Sequence, residues 1–177
     1  MQSNKTVIIF LVKFFGTYAL LFLIYSFYLN ATQTTSDYYS CAPITKTVAN
    51  QSKTLLNVFG YTSEIKQSES ELSMQLIIND RDIARVIEGC NSISIIILFI
   101  AFIVSFAGKF KTTFLFIIFG SFLIFFINVL RISIIAIALY EYPQYEYIFH
   151  DIIFPAIIYG VTFLLWVIWV VKFSKLR

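Results

Sequence analysis

The chain predicts an all-α integral membrane protein of about four transmembrane helices, with a small extracytoplasmic α+β cap between the first and second. Three observations predict it. Hydrophobic residues make up 59% of 177 residues and the mean hydropathy is +0.81, more than a small water-soluble domain can hide. The apolar residues gather into four runs of membrane-spanning scale. The charges gather in the short segments between and beyond those runs, so the bilayer is the solvent for much of this protein.

The first run covers about 6–29 and is interrupted by Lys13 and Gly16. It exceeds the apolar stretch of a signal peptide, roughly 7–15 residues, and no A-x-A site follows, so a retained helix is expected. The insertion at about 30–89 is the only part with soluble character. Within it Ile44, Val48, Leu55, Leu56 and Phe59 fall at helical spacing from Pro43 onward, and Gly60 is a natural stop. Leu72–Ile78 and Ile83–Ile87 are apolar, β-branched runs on either side of Asn79-Asp80-Arg81-Asp82, which predicts a β-hairpin. A piece of about 60 residues is too small to stand as its own domain, so residues 1–177 are read as one membrane domain. The second run, about 91–107, is short against the roughly 20 residues a span needs. The third, about 112–140, is long enough to tilt and holds Arg131 as its only charge. The fourth covers about 148–171.

Orientation follows from the basic residues. Lys5 precedes the first run, Lys109 and Lys111 lie between the second and third, and Lys172, Lys175 and Arg177 follow the fourth, whereas the 3–4 turn carries Glu141 and Glu146 and no base. The positive-inside rule then places both termini and the 2–3 turn in the cytoplasm of a bacterial (inner) membrane, with the insertion and the 3–4 turn outside. The insertion mixes five basic and seven acidic residues and does not oppose this.

Several function classes drop out. There is no Walker-type glycine loop, no CxxC and no HExxH, and one histidine cannot build a histidine metal cluster. No cofactor, no metal and no nucleic-acid partner are expected; the lipid bilayer is.

Three polar residues stand at the outer ends of three different runs. Cys90 opens the second, with Ser94, Leu98, Ala101 and Ser105 following at helical spacing as a small-residue face. A disulfide to Cys41, which is also outside, and a free thiol are both open on spacing alone. Arg131 lies about 19 residues into the third run, roughly 28 Å along at a rise of ~1.5 Å per residue, near the outer boundary. Asn128 is one turn below it on the same face. Snorkelling to headgroups competes with a functional role, which is the default for intramembrane charge. His150 opens the fourth run beside Asp151, with Glu141 and Glu146 in the preceding turn and Pro155 positioned to kink the helix. Alone it reads as an interfacial polar residue. Together, a thiol, a guanidinium and an imidazole at one depth supply a nucleophile, an oxyanion or carboxylate donor and a general acid/base.

Gly89-Cys90-Asn91-Ser92, then Asn128-Val129-Leu130-Arg131, then His150-Asp151, resemble the three signatures of the exosortase/archaeosortase family over about residues 88–160. The resemblance implies an integral-membrane cysteine transpeptidase acting on secreted proteins that end in a short motif, one transmembrane helix and a basic tail. Carried over, Cys90 is the nucleophile, Arg131 the oxyanion or substrate stabiliser, His150 the general acid/base, and Asn128, Asp151 and Ser94 supporting residues. Two departures stand out. The family's Cys-Ser-Gly is Cys90-Asn91-Ser92 here, and the chain is compact beside larger members. Competing readings are a non-catalytic membrane scaffold with a Cys41–Cys90 disulfide and a small transporter using Arg131 and Asn128. Hydrolysis in place of transfer uses the same acyl-enzyme.

Overall fold

A computed structural model describes residues 2–35, 38–106, 108–145 and 147–174, leaving out the side chains of residues 2–4, 150, 151 and 154. The chain is mostly helical. Helix α1 (Gln2–Thr32) leads to a cap made of helix α2 (Pro43–Val58) and strands β1 (Ser63–Gln67), β2 (Ser73–Ile78) and β3 (Arg81–Ile87). A single 3-10 turn, Glu88–Cys90, joins β3 to helix α3 (Ile93–Ser105). Helix α4 (Phe110–Glu141) returns to the cap end. The chain closes with α5 (Phe154–Ile168), flanked by π-helical turns at Ile148–Ile153 and Trp169–Phe173.

Three of these helices are long and apolar enough to cross a membrane: Lys5–Thr32, Phe110–Glu141 and Pro155–Phe173, with mean hydropathy 2.4, 2.5 and 2.1. The expected fourth span is cut short. Helix α3 has 13 residues, a length of about 20 Å against a hydrocarbon core of ~30 Å. The left-handed backbone at Ser92 breaks it from Cys90, and Phe106 turns extended at its other end. Cys90 therefore stands outside the helix, and the expected face running from Cys90 through Ser94 does not form.

Two cores divide the molecule. Phe99 and Ile103 of α3, Ile124 of α4, and Ile158, Leu165 and Trp169 form one within the helices. Gly120 of α4 lets the helices meet closely, because a Cβ there would collide with the Phe99 ring. The second core joins cap to helix: Val48, Leu56, Leu76, Ile78 and Val86 pack with Val129, Ile132 and Ala136 of α4. At ~1.5 Å per residue α4 is about 48 Å long, against ~30 Å for a hydrocarbon core, and its final turns carry the cap. Tyr140 accepts a hydrogen bond from the Asn79 amide at 3.0 Å, and Tyr61 donates to Glu141 at 3.1 Å. That bond raises the pKa of the Tyr61 hydroxyl.

The sheet has the order β1-β2-β3 with both pairs antiparallel. Its hairpin turn is only Asn79-Asp80, both with positive φ (47° and 64°), as a two-residue type I′ turn requires. Arg81 and Asp82, expected in the turn, are strand residues. A bulge leaves Ile83 as an extra residue where Leu76 faces Ala84 and Ile77 faces Asp82. In α2 the buried stripe is Thr45, Val48, Ala49, Ser52 and Leu56. Phe59, expected on that stripe, is exposed beyond the helix end, where Gly60 turns the chain at φ +90°.

Candidate active site

The segment 88–91 is held on three sides. Before Cys90, the Glu88 carboxylate accepts the Ala42 N–H at 3.0 Å and the Thr45 hydroxyl. Helix α2 begins there with no side-chain cap of its own. Its positive dipole end favours a carboxylate, and Glu88 supplies it from 46 residues away in sequence. After Cys90, Asn91 is buried at 1% exposure. Its amide lies 2.7 Å from the Tyr25 hydroxyl of α1 and 3.2 Å from both Thr45 and Glu88, and its carbonyl oxygen accepts the Ile93 N–H at 3.0 Å. From the third side, the Asn128 amide of α4 donates to the Cys90 carbonyl at 2.6 Å.

What is left to Cys90 is its half-buried side chain, which lines a cavity of about 300 Å³. Arg131 lines the same cavity, with Ile132, Ile135 and Leu139 of α4 on one side and residues Ile83 to Ile87 of β3 on the other. The guanidinium reaches the Asn128 carbonyl oxygen at 3.5 Å through one terminal nitrogen, while its buried Nε has no hydrogen-bond partner among the described residues. Asn128 thus touches both residues. A thiol and an unsatisfied cationic donor facing one apolar cavity can attack a carbonyl and receive the charge that develops on its oxygen. A larger cavity of about 450 Å³ lies at the other end of α3, lined by Lys13, Phe106, Gly108 and Phe110 and by neither cysteine.

The other expected residues fall differently. His150 and Asp151 lie in the π-helical turn Ile148–Ile153, which packs against α4; their side chains are outside the described residues. Pro155 lacks the N–H that would bond the carbonyl of residue 151, and the turn before it is wound in the wider π form. Glu141 is taken by Tyr61; Glu146 is outside the described residues. Ser94 is exposed and does not line the cavity.

Both cysteines are free thiols in this structure, which holds no Cys41–Cys90 bridge. Cys41 is fully buried, with its backbone N–H on Gln67 at 3.0 Å and the Gln67 amide 3.6 Å from its sulfur. Burial raises its thiol pKa, with the bond from Gln67 acting the other way. At neutral pH an alkylating reagent is therefore expected to label Cys90 without prior reduction and to leave Cys41 largely untouched. Cys41 labelling should increase only in alkali, because a raised pKa delays the thiolate to higher pH. Peptide mass mapping checks this; equal labelling of the two, or labelling only after reduction, would contradict the structure.

Ser92 sits at φ +64°, the left-handed region that costs an L-residue roughly 1–2 kcal/mol and glycine almost nothing. This is the position where the resembling motif has glycine. Ser92 offsets part of the cost by donating to the Asn91 carbonyl at 2.6 Å. Ser92→Gly is expected to raise stability by about 1 kcal/mol, read as a higher unfolding midpoint in detergent.

A family model described as transmembrane exosortase (Exosortase_EpsH) matches residues 6–170, nearly the whole chain. The chain belongs to the transmembrane exosortase family. The match includes α1 and the cap, beyond the three short motifs. No curated protein and no solved structure matches it. This exosortase is a membrane protein by family and by its three long apolar helices.

Proposed function

We propose that this exosortase is a cysteine transpeptidase that cleaves a C-terminal sorting signal of secreted proteins at the outer face of the cytoplasmic membrane. The observation that carries the reading is the shared cavity of Cys90 and Arg131, in a chain of this family. By the positive-inside rule, Lys5, Lys109, Lys111 and Lys172 support an orientation with the opposite end of the helices in the cytoplasm and the cap outside. A substrate with one membrane helix then carries its scissile bond just beyond the bilayer, at the level of Cys90, and its basic tail inside.

In the proposed cycle His150 takes the Cys90 thiol proton as sulfur attacks the scissile carbonyl carbon. The carbonyl oxygen becomes an oxyanion facing the Arg131 guanidinium. The C–N bond breaks, His150 returns its proton to the leaving amine, and a thioester remains on Cys90. An amine acceptor, or water, attacks that thioester and releases the thiolate, which is reprotonated. Asn128 positions both partners, through the Cys90 carbonyl and the guanidinium.

The test uses single-span reporters: an outer tag, a short randomised segment, an apolar helix and a Lys-Arg tail, co-expressed with the full chain. A hydroxylamine-sensitive adduct on the Cys90 peptide, with release of tag, is the expected result. Tag release that continues without Cys90, or no release from any reporter, would overturn the reading.

A further inference from the structure

Resting on the transpeptidase reading, we propose that β3 is a receptor edge. The extended substrate segment that precedes the scissile bond adds to it as a fourth strand, parallel to β3, and is led by it to Cys90.

Strand β3 pairs with β2 alone and forms one edge of the sheet. Among the described residues no other backbone hydrogen bond joins it to a neighbouring element. The direction of its free groups follows from the ladder. Asn79 N–H donates to Thr62 and Ser68 N–H to Ser73, so Ser73, Gln75, Ile77 and Asn79 of the central strand and its turn face β1. Met74, Leu76 and Ile78 then face β3. Arg85 and Ile87 lie opposite Gln75 and Ser73, so their N–H and C=O groups point away from the sheet.

The cavity holding Cys90 and Arg131 runs along this edge. Five consecutive residues, Ile83 to Ile87, line it. Successive side chains point to opposite faces of a strand, so a cavity touched by all five follows the edge and not one face. Natural sheets protect such edges with charges and bulges. Here Arg81, Asp82 and the bulge at Ile83 guard the hairpin end, and Arg85 carries one more charge. The last two residues, Val86 and Ile87, carry none, and Ile87 is 48% exposed. The unguarded stretch is the one that runs into Cys90.

The occupant is set by what surrounds the edge. The opposite wall holds Arg131, a cationic donor whose buried Nε has no partner among the described residues, so the arriving segment brings a carbonyl or carboxylate oxygen. A peptide strand supplies one at each residue, along with the backbone groups the edge requires. Direction follows from topology. The substrate's membrane helix is C-terminal to the scissile bond, so its chain approaches Cys90 from the cap side, as β3 does. The pairing is therefore parallel.

The experiment uses the full chain with the reporters described above. For each cleaved sequence, proline is placed in turn at every residue before the scissile bond. Edge pairing presents every second substrate amide to β3, so cleavage is expected to fall roughly tenfold or more at alternate positions and to persist between them. In the enzyme, Arg85→Pro and Ile87→Pro each remove an outward N–H, and a similar loss is expected with the unfolding midpoint and Cys90 alkylation retained. Proline tolerated throughout the substrate would overturn the edge proposal while Cys90-dependent cleavage keeps the transpeptidase reading. If either enzyme variant fails to fold, the substrate scan alone decides. If no reporter is cleaved, the transpeptidase reading fails and this proposal with it.

Discussion

Cys90→Ala is expected to abolish reporter cleavage, by at least about 10⁴-fold, while leaving a folded protein. The stability side follows from placement. Segment 88–91 is held by Glu88, by Asn91 and by the Cys90 carbonyl, and none of these contacts uses the sulfur. Removing a half-buried sulfur forfeits only about 1 kcal/mol of packing. The contrast with Cys41→Ala makes the result diagnostic. Cys41 is fully buried in the cap core, and its sulfur meets the Gln67 amide. Its loss should lower the unfolding midpoint yet leave the turnover of folded molecules near wild type. A structural bridge would give equal damage from both substitutions. Turnover per folded molecule and melting in detergent, measured on both variants, separate these cases; a Cys90→Ala enzyme that still cleaves would sink the nucleophile.

How far the sequence discloses this arrangement differs by element, for physical reasons. The long helices are legible because hydropathy is a property of each run by itself, and the ends of α4 and of the fourth helical run lie within a few residues of expectation. The hairpin is legible because Asn79 and Asp80 are residue types that tolerate positive φ. Strand β1 is not: Ser-Glu-Ile-Lys-Gln has one large apolar residue, Ile65, and therefore no period of two to detect. Cys90 and Arg131 could be picked out as polar residues in apolar surroundings, and they do share a cavity. The residues that hold Cys90 could not. Glu88 reads as an ordinary strand-end acid until α2 is seen to start against it, and Asn91 reads as motif variation until Tyr25 and Thr45 surround it. Those partners are 43 to 66 residues away in sequence, and no local pattern encodes so distant a pairing. Helix α3 shows the converse. Helical spacing extends its small-residue face back to Cys90, but the left-handed backbone at Ser92 detaches the thiol from the helix, and it lines the cavity instead.

Arg131→Met is expected to lower turnover by roughly 10²–10³-fold, the loss typical of a removed oxyanion donor, without lowering stability. A cation in the wall of an apolar cavity, with its Nε unsatisfied among the described residues and a terminal nitrogen 3.5 Å from Asn128, is only partly compensated by them. Replacing such a group with a residue of similar volume is often neutral or stabilising, by up to about 1–4 kcal/mol. Asn128 keeps its 2.6 Å bond to the Cys90 carbonyl in the variant, so the nucleophile stays in place. Arg131→Lys should be nearly as damaging, because the ammonium keeps the charge but loses the fork and reach of the guanidinium. The bland alternative, an arginine snorkelling to lipid headgroups, predicts the reverse on turnover: both variants would work normally. Unfolding midpoints and reporter turnover for the two variants decide it. A fold that becomes less stable in step with lost activity would make Arg131 a structural residue, whereas a stable, inactive Met variant would show that the fold keeps a buried cation because the reaction uses it.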